Sequence, residues 1–357
     1  TAERENVKVI CRVRPFAKRE YEIQDEMNAN IKEEWDKRPL RSVIGMSGNS
    51  TIFLDHDKEF TERQRFDFDV SLWSIPQDQQ DGPRFASQDD VMTHVGRPAL
   101  DHVWNGFNTC IFAYGQTGSG KTYTMMGTDD EKGLIPHMCQ ELFTSLQKRR
   151  EEEEGVVVEN TVKEYRLEAR FLEIYNEKVK DLLWGMRETK DGLENIDKDN
   201  LKVRNFGKEG PIVVGLTTVK VENWEDCLAL IEEGTSHRSV AATKMNETSS
   251  RSHSIFRLNF IQTTKILPTK QFEKPKTYDR ISNVSLVDLA GSERNKKTGA
   301  EGVRLKEAVA INLSLTTLKN VIDALVEGRA VVPYRDSQLT WLLSENLGGN
   351  SKTFMIS

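Results

Sequence analysis

The residues whose chemistry is easiest to assign lie in residues 115–122, which read Gly-Gln-Thr-Gly-Ser-Gly-Lys-Thr. Glycines in such a turn let consecutive backbone N–H groups converge on phosphate oxygens, because no Cβ obstructs them. Lys121 can then reach the β- and γ-phosphates, and the Thr122 hydroxyl can ligate Mg²⁺. This pattern is that of a phosphate-binding P-loop, so the segment predicts binding of a nucleoside triphosphate.

The residues on either side of the turn predict the strand and the helix that a P-loop requires. Asn108–Tyr114 form an apolar run that indicates a buried strand ending at the turn. A helix is expected from about Lys121, and its N-terminal dipole favours an anion. This strand–turn–helix context distinguishes the P-loop from a chance glycine-rich turn.

Two further segments carry groups suited to Mg²⁺ and a γ-phosphate. Val284–Val287 predict a strand that ends at Asp288, which can hold a Mg²⁺-bound water. The Gly291 N–H can bond the γ-phosphate, and the hydroxyls of Ser249 and Ser250 suit the same ligands. Together with the P-loop, these segments predict loops that a triphosphate orders and that hydrolysis releases.

Arg251 and Glu293 stand next to these two segments and carry opposite charges. A salt bridge between them would close the site only when both loops are in place. His253 lies in the same polar run as Arg251, and we assign it no catalytic role.

Composition narrows the class of protein. The chain has 357 residues, of which 37% are apolar and 30% charged, as in a soluble globular protein. A net charge of −6 argues against general nucleic-acid binding, which leaves a basic footprint. Four scattered cysteines without a Cys-x-x-Cys pair argue against a disulfide framework or a zinc site and favour a reducing compartment. No segment resembles a membrane span or a signal peptide.

Periodicity along the rest of the chain predicts alternating strands and helices. One further strand is predicted to begin at Val7 and end at Pro15. Others are predicted at Val43–Phe53, Phe66–Trp73, Tyr165–Phe171 and Phe256–Phe260. Helices are predicted from Ser87 to Val103 with a kink or a start at Pro98, and at Pro136–Lys148, Asn176–Leu183, Trp224–Glu233 and Ala308–Val326. Residues 149–154 are interpreted as a solvated loop or a fraying helix end.

Six segments, in the order found in the family, resemble a kinesin motor domain over nearly the whole chain. They are Val9–Pro15, Gly115–Thr122, Leu172–Leu183, Asn246–Ser254, Asp288–Arg294 and Val332–Ser337. The sequence is most similar to kinesin subfamily three, the vesicle- and organelle-transport kinesins, at Tyr123, Thr298–Glu307, Ser314–Leu318 and Leu339–Leu343. The resemblance implies an α/β fold of the P-loop NTPase type, with a central, mostly parallel mixed sheet and helices on both faces. It also implies one motor domain over residues 1–357, ending before the last helix and the neck.

The resemblance implies a role for each matching residue. ATP would be bound by Arg12, Arg14, Pro15, Gly115, Gln116, Thr117, Gly118, Ser119, Gly120, Lys121, Thr122 and Tyr123, with Tyr123 stacking on the adenine. Mg²⁺ would be held by Thr122, Ser250 and Asp288. The catalytic residues would be Lys121, Ser249, Ser250, Arg251, Gly291 and Glu293. Asn246–Ser254 resembles the family's switch I, Asp288–Arg294 its switch II, and Arg251–Glu293 the salt bridge between them.

The implied activity is that of a microtubule-stimulated ATPase that moves vesicles or organelles toward microtubule plus ends in the cytoplasm. Tubulin is acidic, and the basic residues implied as contacts are Lys296, Lys297, Arg304, Lys306 and Arg335. Cargo would bind through a tail absent from this sequence, and neither nucleic acid nor direct membrane contact is expected. The sequence departs from the family pattern at Leu313, where kinesins usually have lysine. It departs again at Glu327–Ala330, which lacks the lysine-rich insertion of subfamily three.

Three alternatives remain open at this point. A GTPase would need an Asn-Lys-x-Asp motif to recognise guanine, and the run from Asn295 to Thr298 lacks the aspartate. A nucleic-acid-stimulated ATPase often has an acidic residue after the aspartate, where this chain has Leu289. A non-catalytic microtubule-binding module would not need the complete set of Lys121, Thr122, Asp288 and the Arg251–Glu293 pair.

Overall fold

The computed structural model describes residues 7–29, 31, 39–55, 58, 60–153, 160–186, 196–205, 207, 210–242, 251–268, 274–293, 303–349 and 351–357. Its strands are β1 Val7–Val13, β2 Ile44–Ser47, β3 Ser50–Asp55, β4 Thr61–Asp67, β5 Val70–Trp73, β6 Asn108–Ala113, β7 Thr161–Tyr175, β8 Lys178–Asp181, β9 Val203–Asn205, β10 Pro211–Val213, β11 Val219–Val221, β12 His253–Ile266, β13 Lys276–Asp288 and β14 Ser351–Ile356. Its α-helices are α1 Lys18–Ala29, α2 Gln88–Val91, α3 Arg97–Trp104, α4 Lys121–Met125, α5 Leu134–Glu153, α6 Trp224–Ala242, α7 Val303–Val326, α8 Gln338–Leu342 and α9 Ser344–Gly348.

A nine-stranded mixed sheet runs through the centre of the molecule in the order β11-β7-β12-β13-β6-β14-β1-β5, with β8 also paired to β7. Among the described strands of this sheet, four pairings are parallel and four are antiparallel. The parallel pairings lie between β13 and β5, which is the part that includes the P-loop strand β6. Strands β2–β4 and β9–β10 form two small antiparallel sheets.

The helices lie on both faces of this sheet because its central strands are apolar on both sides. In β6, Ile111 and Ala113 join a core cluster that includes α3, α5 and α6 residues, whereas Cys110 and Phe112 join a second cluster with α7 and α8 residues. Alternate strand residues point to opposite faces, so one continuous apolar strand supplies both clusters. The predicted α/β architecture with a central mixed sheet is confirmed, but the sheet is not mostly parallel, because antiparallel pairings among the described strands equal the parallel ones in number.

Helix α7 contains the segment Val309–Val326, which is long and apolar enough to be a candidate membrane span by length and composition alone. The core helix of a soluble protein passes the same test. Leu318, Val321 and Ala324 are at most 2% exposed, and the first two belong to the core cluster on this face of the sheet. Packing against the sheet therefore accounts for the apolar residues on one face of α7, and a third of the segment Val309–Val326 is buried.

The helix predicted at Asn176–Leu183 is wrong, because this segment forms a hairpin. Asn176 and Glu177 have φ of 50° and 55°, and β8 returns antiparallel to β7. Two consecutive residues with positive φ are what a tight hairpin turn requires. Val179 and Asp181 are buried while Lys178 is exposed, which is the alternation of a strand.

Other elements are present with different bounds. Each of the strands predicted at Val43–Phe53 and Phe66–Trp73 is divided by a turn into parts of two strands. Helix α5 extends to Glu153, beyond the predicted end at Lys148, and strand β14 was not predicted. Ser87 caps α2 as expected, and Pro98 lies in the first turn of α3, after a π-helical turn.

Substitution of Asn176 tests the hairpin directly. In a left-handed turn, alanine is less favourable than glycine by roughly 1 kcal/mol, whereas in a helix alanine is more favourable by about the same amount. We therefore expect Asn176→Gly to be more stable than Asn176→Ala in denaturant unfolding. The opposite order would restore the helix prediction for this segment.

Candidate active site

The P-loop lies between β6 and α4, where Gly118 and Gly120 adopt φ of 79° and 94°. These left-handed conformations are accessible to glycine at little cost, which explains why the turn needs glycine at both positions. The Lys121 ammonium donates to the carbonyl oxygens of Gly115 and Gln116, each at 2.9 Å. Burial lowers the pKa of Lys121, although the nearby carboxylates of Asp288 and Glu293 oppose this effect.

The end of β13 lies beside the P-loop because β13 and β6 are parallel neighbours, with Asp288 in register with Ala113. The Thr122 hydroxyl donates to Asp288 Oδ2 at 2.9 Å. The Ser292 N–H donates to the Gly115 carbonyl oxygen at 3.0 Å. The predicted metal ligands Thr122 and Asp288 are therefore in direct contact, whereas Ser249 and Ser250 fall outside the described residues.

The Thr122 hydroxyl and the Asp288 carboxylate are suited to binding Mg²⁺. Asp288 is only 6% exposed, and its Oδ1 is buried without a hydrogen-bond partner in the described structure. Among the described residues, no group of three or more His, Cys, Asp or Glu side chains could hold a metal by itself. Mg²⁺ usually takes one or two protein oxygens and completes its shell with waters and substrate phosphates. The Thr122 hydroxyl and the unpartnered oxygen of Asp288 match that pattern.

Glu293 bonds to the P-loop in this structure. Its carboxylate accepts from the Thr117 N–H at 2.8 Å and from the Thr117 hydroxyl. Burial raises the pKa of Glu293, but the hydrogen bonds from Thr117 outweigh it and leave the pKa lowered. A Cβ on Gly291 would lie 2.4 Å from the Thr117 hydroxyl oxygen, so only glycine allows this close approach.

No ion pair joins Arg251 to Glu293 within the described residues, and the predicted salt bridge between them stays a prediction. In this conformation Thr117 supplies two donors to the Glu293 carboxylate. These bonds satisfy the carboxylate at the P-loop instead of at switch I.

The predicted adenine contacts lie together on the other side of the P-loop. The Arg12 guanidinium lies 5.5 Å from the centroid of the Tyr123 ring. It donates to Gln88 Oε1 at 2.8 Å, to Ser74 Oγ at 3.0 Å and to Thr124 Oγ1 at 3.1 Å. Gln88 also donates to the Tyr123 carbonyl at 2.8 Å, so it positions both predicted residues. Gln88 carries no sequence signal beyond its place directly after the predicted helix cap Ser87.

Arg14 and Pro15 form the rim of the same cleft. The Arg14 guanidinium forms a two-bond ion pair with Glu20 at 2.8 and 3.0 Å and donates to the Pro15 carbonyl at 2.8 Å. The cleft is lined by Arg12, Arg14, Pro15, Ser119, Gly120, Lys121, Tyr123 and other residues. The structure thus brings the predicted base-binding residues and the end of the P-loop, Ser119–Lys121, to one cleft.

The comparisons with known proteins agree with this geometry. The family model for the kinesin motor domain matches residues 12–357. The chain belongs to the kinesin motor domain family. It is 45% identical to kinesin-related protein 1 of Dictyostelium discoideum, over 99% of this chain and 15% of that protein. It is 41% identical to kinesin-like protein KIF1B of Mus musculus, over 99% of this chain and 18% of that protein.

A solved structure of KIF14 residues 391–755, with ADP and in complex with a microtubule, is 40% identical. It superposes with a TM-score of 0.76, covering 98% of this chain and 88% of that one. The predicted similarity to kinesin subfamily three is confirmed by relatives such as KIF1B and KIF13A, at 41% identity. The chain spans less than a fifth of the length of the curated relatives it matches.

The predicted microtubule contacts are only partly described in this kinesin motor domain. Lys296 and Lys297 lie outside the described residues, and Arg304 and Lys306 are described by their backbone alone, in the first turns of α7. The Arg335 guanidinium lies 5.6 Å from the centroid of the Trp341 ring, in a 3₁₀ turn that packs against α7. Arg304, Lys306 and Arg335 therefore lie on α7 and its neighbour.

Arg238 is a site residue that sequence reasoning missed. It is 8% exposed on α6 and donates to the Ser252 carbonyl at 3.0 Å and the Ser254 hydroxyl at 3.2 Å. Its guanidinium also lies 3.6 Å from Glu173 Oε1 and 3.7 Å from Asp288 Oδ2. The sequence predicted that the helix ends at Glu233, so nothing placed Arg238 at the site.

His253 connects switch II with α7. The Ala290 N–H donates to His253 Nδ1 at 3.0 Å, so Nε2 must carry the proton that it shares with Ser314 Oγ at 2.8 Å. The Ser314 hydroxyl in turn donates to the Ile311 carbonyl at 2.9 Å. Burial, with a smaller contribution from the Arg238 charge, lowers the pKa of His253 to about 3.

Substitution of Arg238 tests the buried ion pairs. Because Glu173 is 1% exposed, Arg238→Gln leaves a buried carboxylate whose remaining ion-pair partner among the described residues is Lys180, at 3.8 Å. We expect a loss of roughly 3 kcal/mol or more in the free energy of unfolding, partly recovered by Glu173→Gln in the same chain. Arg97→Gln, on an exposed ion pair, should cost less than about 1 kcal/mol. If the changes in unfolding free energy of Arg238→Gln and Glu173→Gln simply add in the double variant, Arg238 and Glu173 are not paired.

The buried His253 predicts a pH dependence of stability. Its pKa rises from about 3 in the folded chain to about 6.5 when unfolded, so below pH 6.5 the unfolded chain binds the extra proton. The free energy of unfolding should therefore fall with falling pH, by up to about 1.4 kcal/mol per pH unit from this residue. Denaturant unfolding of His253→Gln between pH 6.5 and 4 should show a shallower slope. His94→Gln, on an exposed side chain, is the control, and equal slopes for wild type and His253→Gln would refute the assignment.

Proposed function

We propose that this kinesin motor domain is a microtubule-stimulated, Mg²⁺-dependent ATPase that couples ATP hydrolysis to movement along microtubules. The observation that carries the proposal is the contact between the end of β13 and the P-loop, from Asp288 to Thr122 and from Glu293 to Thr117. These bonds engage groups that the phosphates and Mg²⁺ of a bound nucleotide would also engage. Binding and loss of the γ-phosphate would therefore change how switch II is held.

Each residue at the site has a task in this proposal. The Lys121 ammonium, now bonded to P-loop carbonyls 2.9 Å away, turns to the β- and γ-phosphates and offsets their charge. The P-loop N–H groups and the Gly291 N–H bind phosphate oxygens, and Arg12, Pro15 and Tyr123 border the adenine. Mg²⁺, when bound, neutralises charge on the β- and γ-phosphates.

Switch I and Glu293 complete the site in the same proposal. Ser249 and Ser250 contribute hydroxyls to the γ-phosphate and Mg²⁺. Glu293 leaves Thr117, pairs with Arg251 and orders the attacking water. The bonds of Glu293 to Thr117 in this structure then represent the conformation before the two switches meet.

The motion would reach the filament through α7. The hydrogen bonds from Ala290 to His253 and from His253 to Ser314 connect switch II to this helix. Lys296, Lys297, Arg304, Lys306 and Arg335 would contact the acidic tubulin surface near the start of α7. A shift of switch II is thereby passed to the helix that faces the microtubule.

The cellular setting is proposed from the relatives. A solved structure of KIF14, 40% identical, is a complex with a microtubule. We infer that residues 1–357 form one motor domain of a longer protein that carries vesicles or organelles toward plus ends. It would act in the cytoplasm on the microtubule cytoskeleton.

ATP turnover with and without polymerised microtubules, across a salt series, tests the proposal. Turnover should rise strongly with microtubules at low salt and the stimulation should decline as salt screens the basic contacts. Glu293→Ala should lower stimulated turnover on the order of 10²-fold or more, because the water loses its orienting group. Glu62→Ala, on the distant strand β4, is the matched control.

Each outcome of this experiment bears on a different part of the proposal or on one of the alternatives. No stimulation at low salt would refute the motor proposal, and normal turnover by Glu293→Ala would refute the role of Glu293 alone. Preference for GTP over ATP would revive the GTPase alternative. Stimulation by DNA or RNA in place of microtubules would favour a nucleic-acid-dependent enzyme.

A further inference from the structure

Two arginines lie directly opposite each other on neighbouring strands of the central sheet, away from the P-loop. Arg170 on β7 pairs in register with Arg257 on β12. Both point to the α7 face, because Leu172 and Ile255, two residues along each strand, belong to the core cluster on that face. Ser285 on β13 is in register with Arg257 and continues the row.

Neither arginine has a counter-charge within hydrogen-bonding reach in the described chain. Arg257 Nε donates to the Ser285 hydroxyl at 3.3 Å, and Arg170 Nε is buried without a hydrogen-bond partner. The Glu168 carboxylate, two residues from Arg170 on β7, lies 3.2 Å from Arg166 Nε, and its charge partly opposes the effect of burial on the pKa of Arg170. Both arginines are partly buried.

Such an arrangement is unfavourable by itself. Like charges directly opposite on antiparallel strands destabilise the pair, and arginine cannot relieve this by losing its proton. Burial lowers the pKa of both guanidinium groups, and the Arg170 charge lowers the pKa of Arg257 further. An oxyanion between the two would convert the repulsion into two charge-assisted interactions.

We propose that Arg170 and Arg257, with the Ser285 hydroxyl, form an oxyanion-binding site for a phosphate or carboxylate group. The guanidinium fork matches the paired oxygens that both groups present. Asn259, 7% exposed, lies two residues from Arg257 on the same face of β12. The site is distinct from the nucleotide cleft, because none of these residues lines that cleft.

Thermal unfolding in different anions tests the site. The wild-type chain is measured with saturating Mg²⁺-ADP in every sample, so that the P-loop is equally occupied. Sodium phosphate and sodium acetate are each compared with sodium chloride at equal ionic strength and pH. Arg170→Gln and Arg257→Gln remove one guanidinium each, and Arg65→Gln, an exposed arginine ion-paired with Glu62, is the matched control.

In wild type and Arg65→Gln, phosphate or acetate should raise Tm above its value in chloride by roughly 2–4 °C. A rise with phosphate alone identifies a phosphate site, and a rise with acetate identifies a carboxylate site. Both arginine variants should lose this rise and should be at least as stable as wild type in chloride, because the repulsion is gone. The proposal is overturned if neither anion raises the wild-type Tm above chloride, or if the arginine variants keep the full rise.

Discussion

The active site depends on the parallel register of two neighbouring strands. Because β13 pairs with β6, the chain leaves both strands at the same edge of the sheet, with Asp288 opposite Ala113. The P-loop and switch II are therefore adjacent before any ligand is considered, as expected where open α/β sheets bind ligands. A shift of this register by one residue would turn Asp288 to the other face of the sheet and break its bond to Thr122.

Because the two loops are adjacent, the P-loop has two alternative sets of hydrogen-bond partners. Its donors can bond either to switch II or to phosphate oxygens, and in this structure Thr117 bonds to Glu293 while Lys121 bonds to its own loop. Two sets of partners for the same groups give two discrete arrangements, which is what a switch requires.

The parts of the site that could be predicted from sequence are those fixed by short stretches of chain. The P-loop and Asp288 each follow an apolar strand directly, so local pattern was sufficient. Gln88 and Arg238 could not be found this way, because their partners come from other elements of the sheet and its helices. The hairpin at Asn176 was missed for a different reason: positive φ at two ordinary residues leaves little trace in a polar segment. Strand β14 similarly depends on its neighbours β6 and β1 for its pairing.

The position of Arg238 shows how the site keeps a carboxylate both buried and available. Asp288 is nearly inaccessible, and a buried carboxylate needs a compensating charge. Arg238 Nη1 lies 3.7 Å from Asp288 Oδ2, too far for a good hydrogen bond but close enough for electrostatic attraction. A closer guanidinium would bind both carboxylate oxygens and exclude other ligands. The arginine is instead bonded to Ser252 and Ser254, and Oδ1 of Asp288, which has no hydrogen-bond partner among the described residues, is available to the shell of a metal ion.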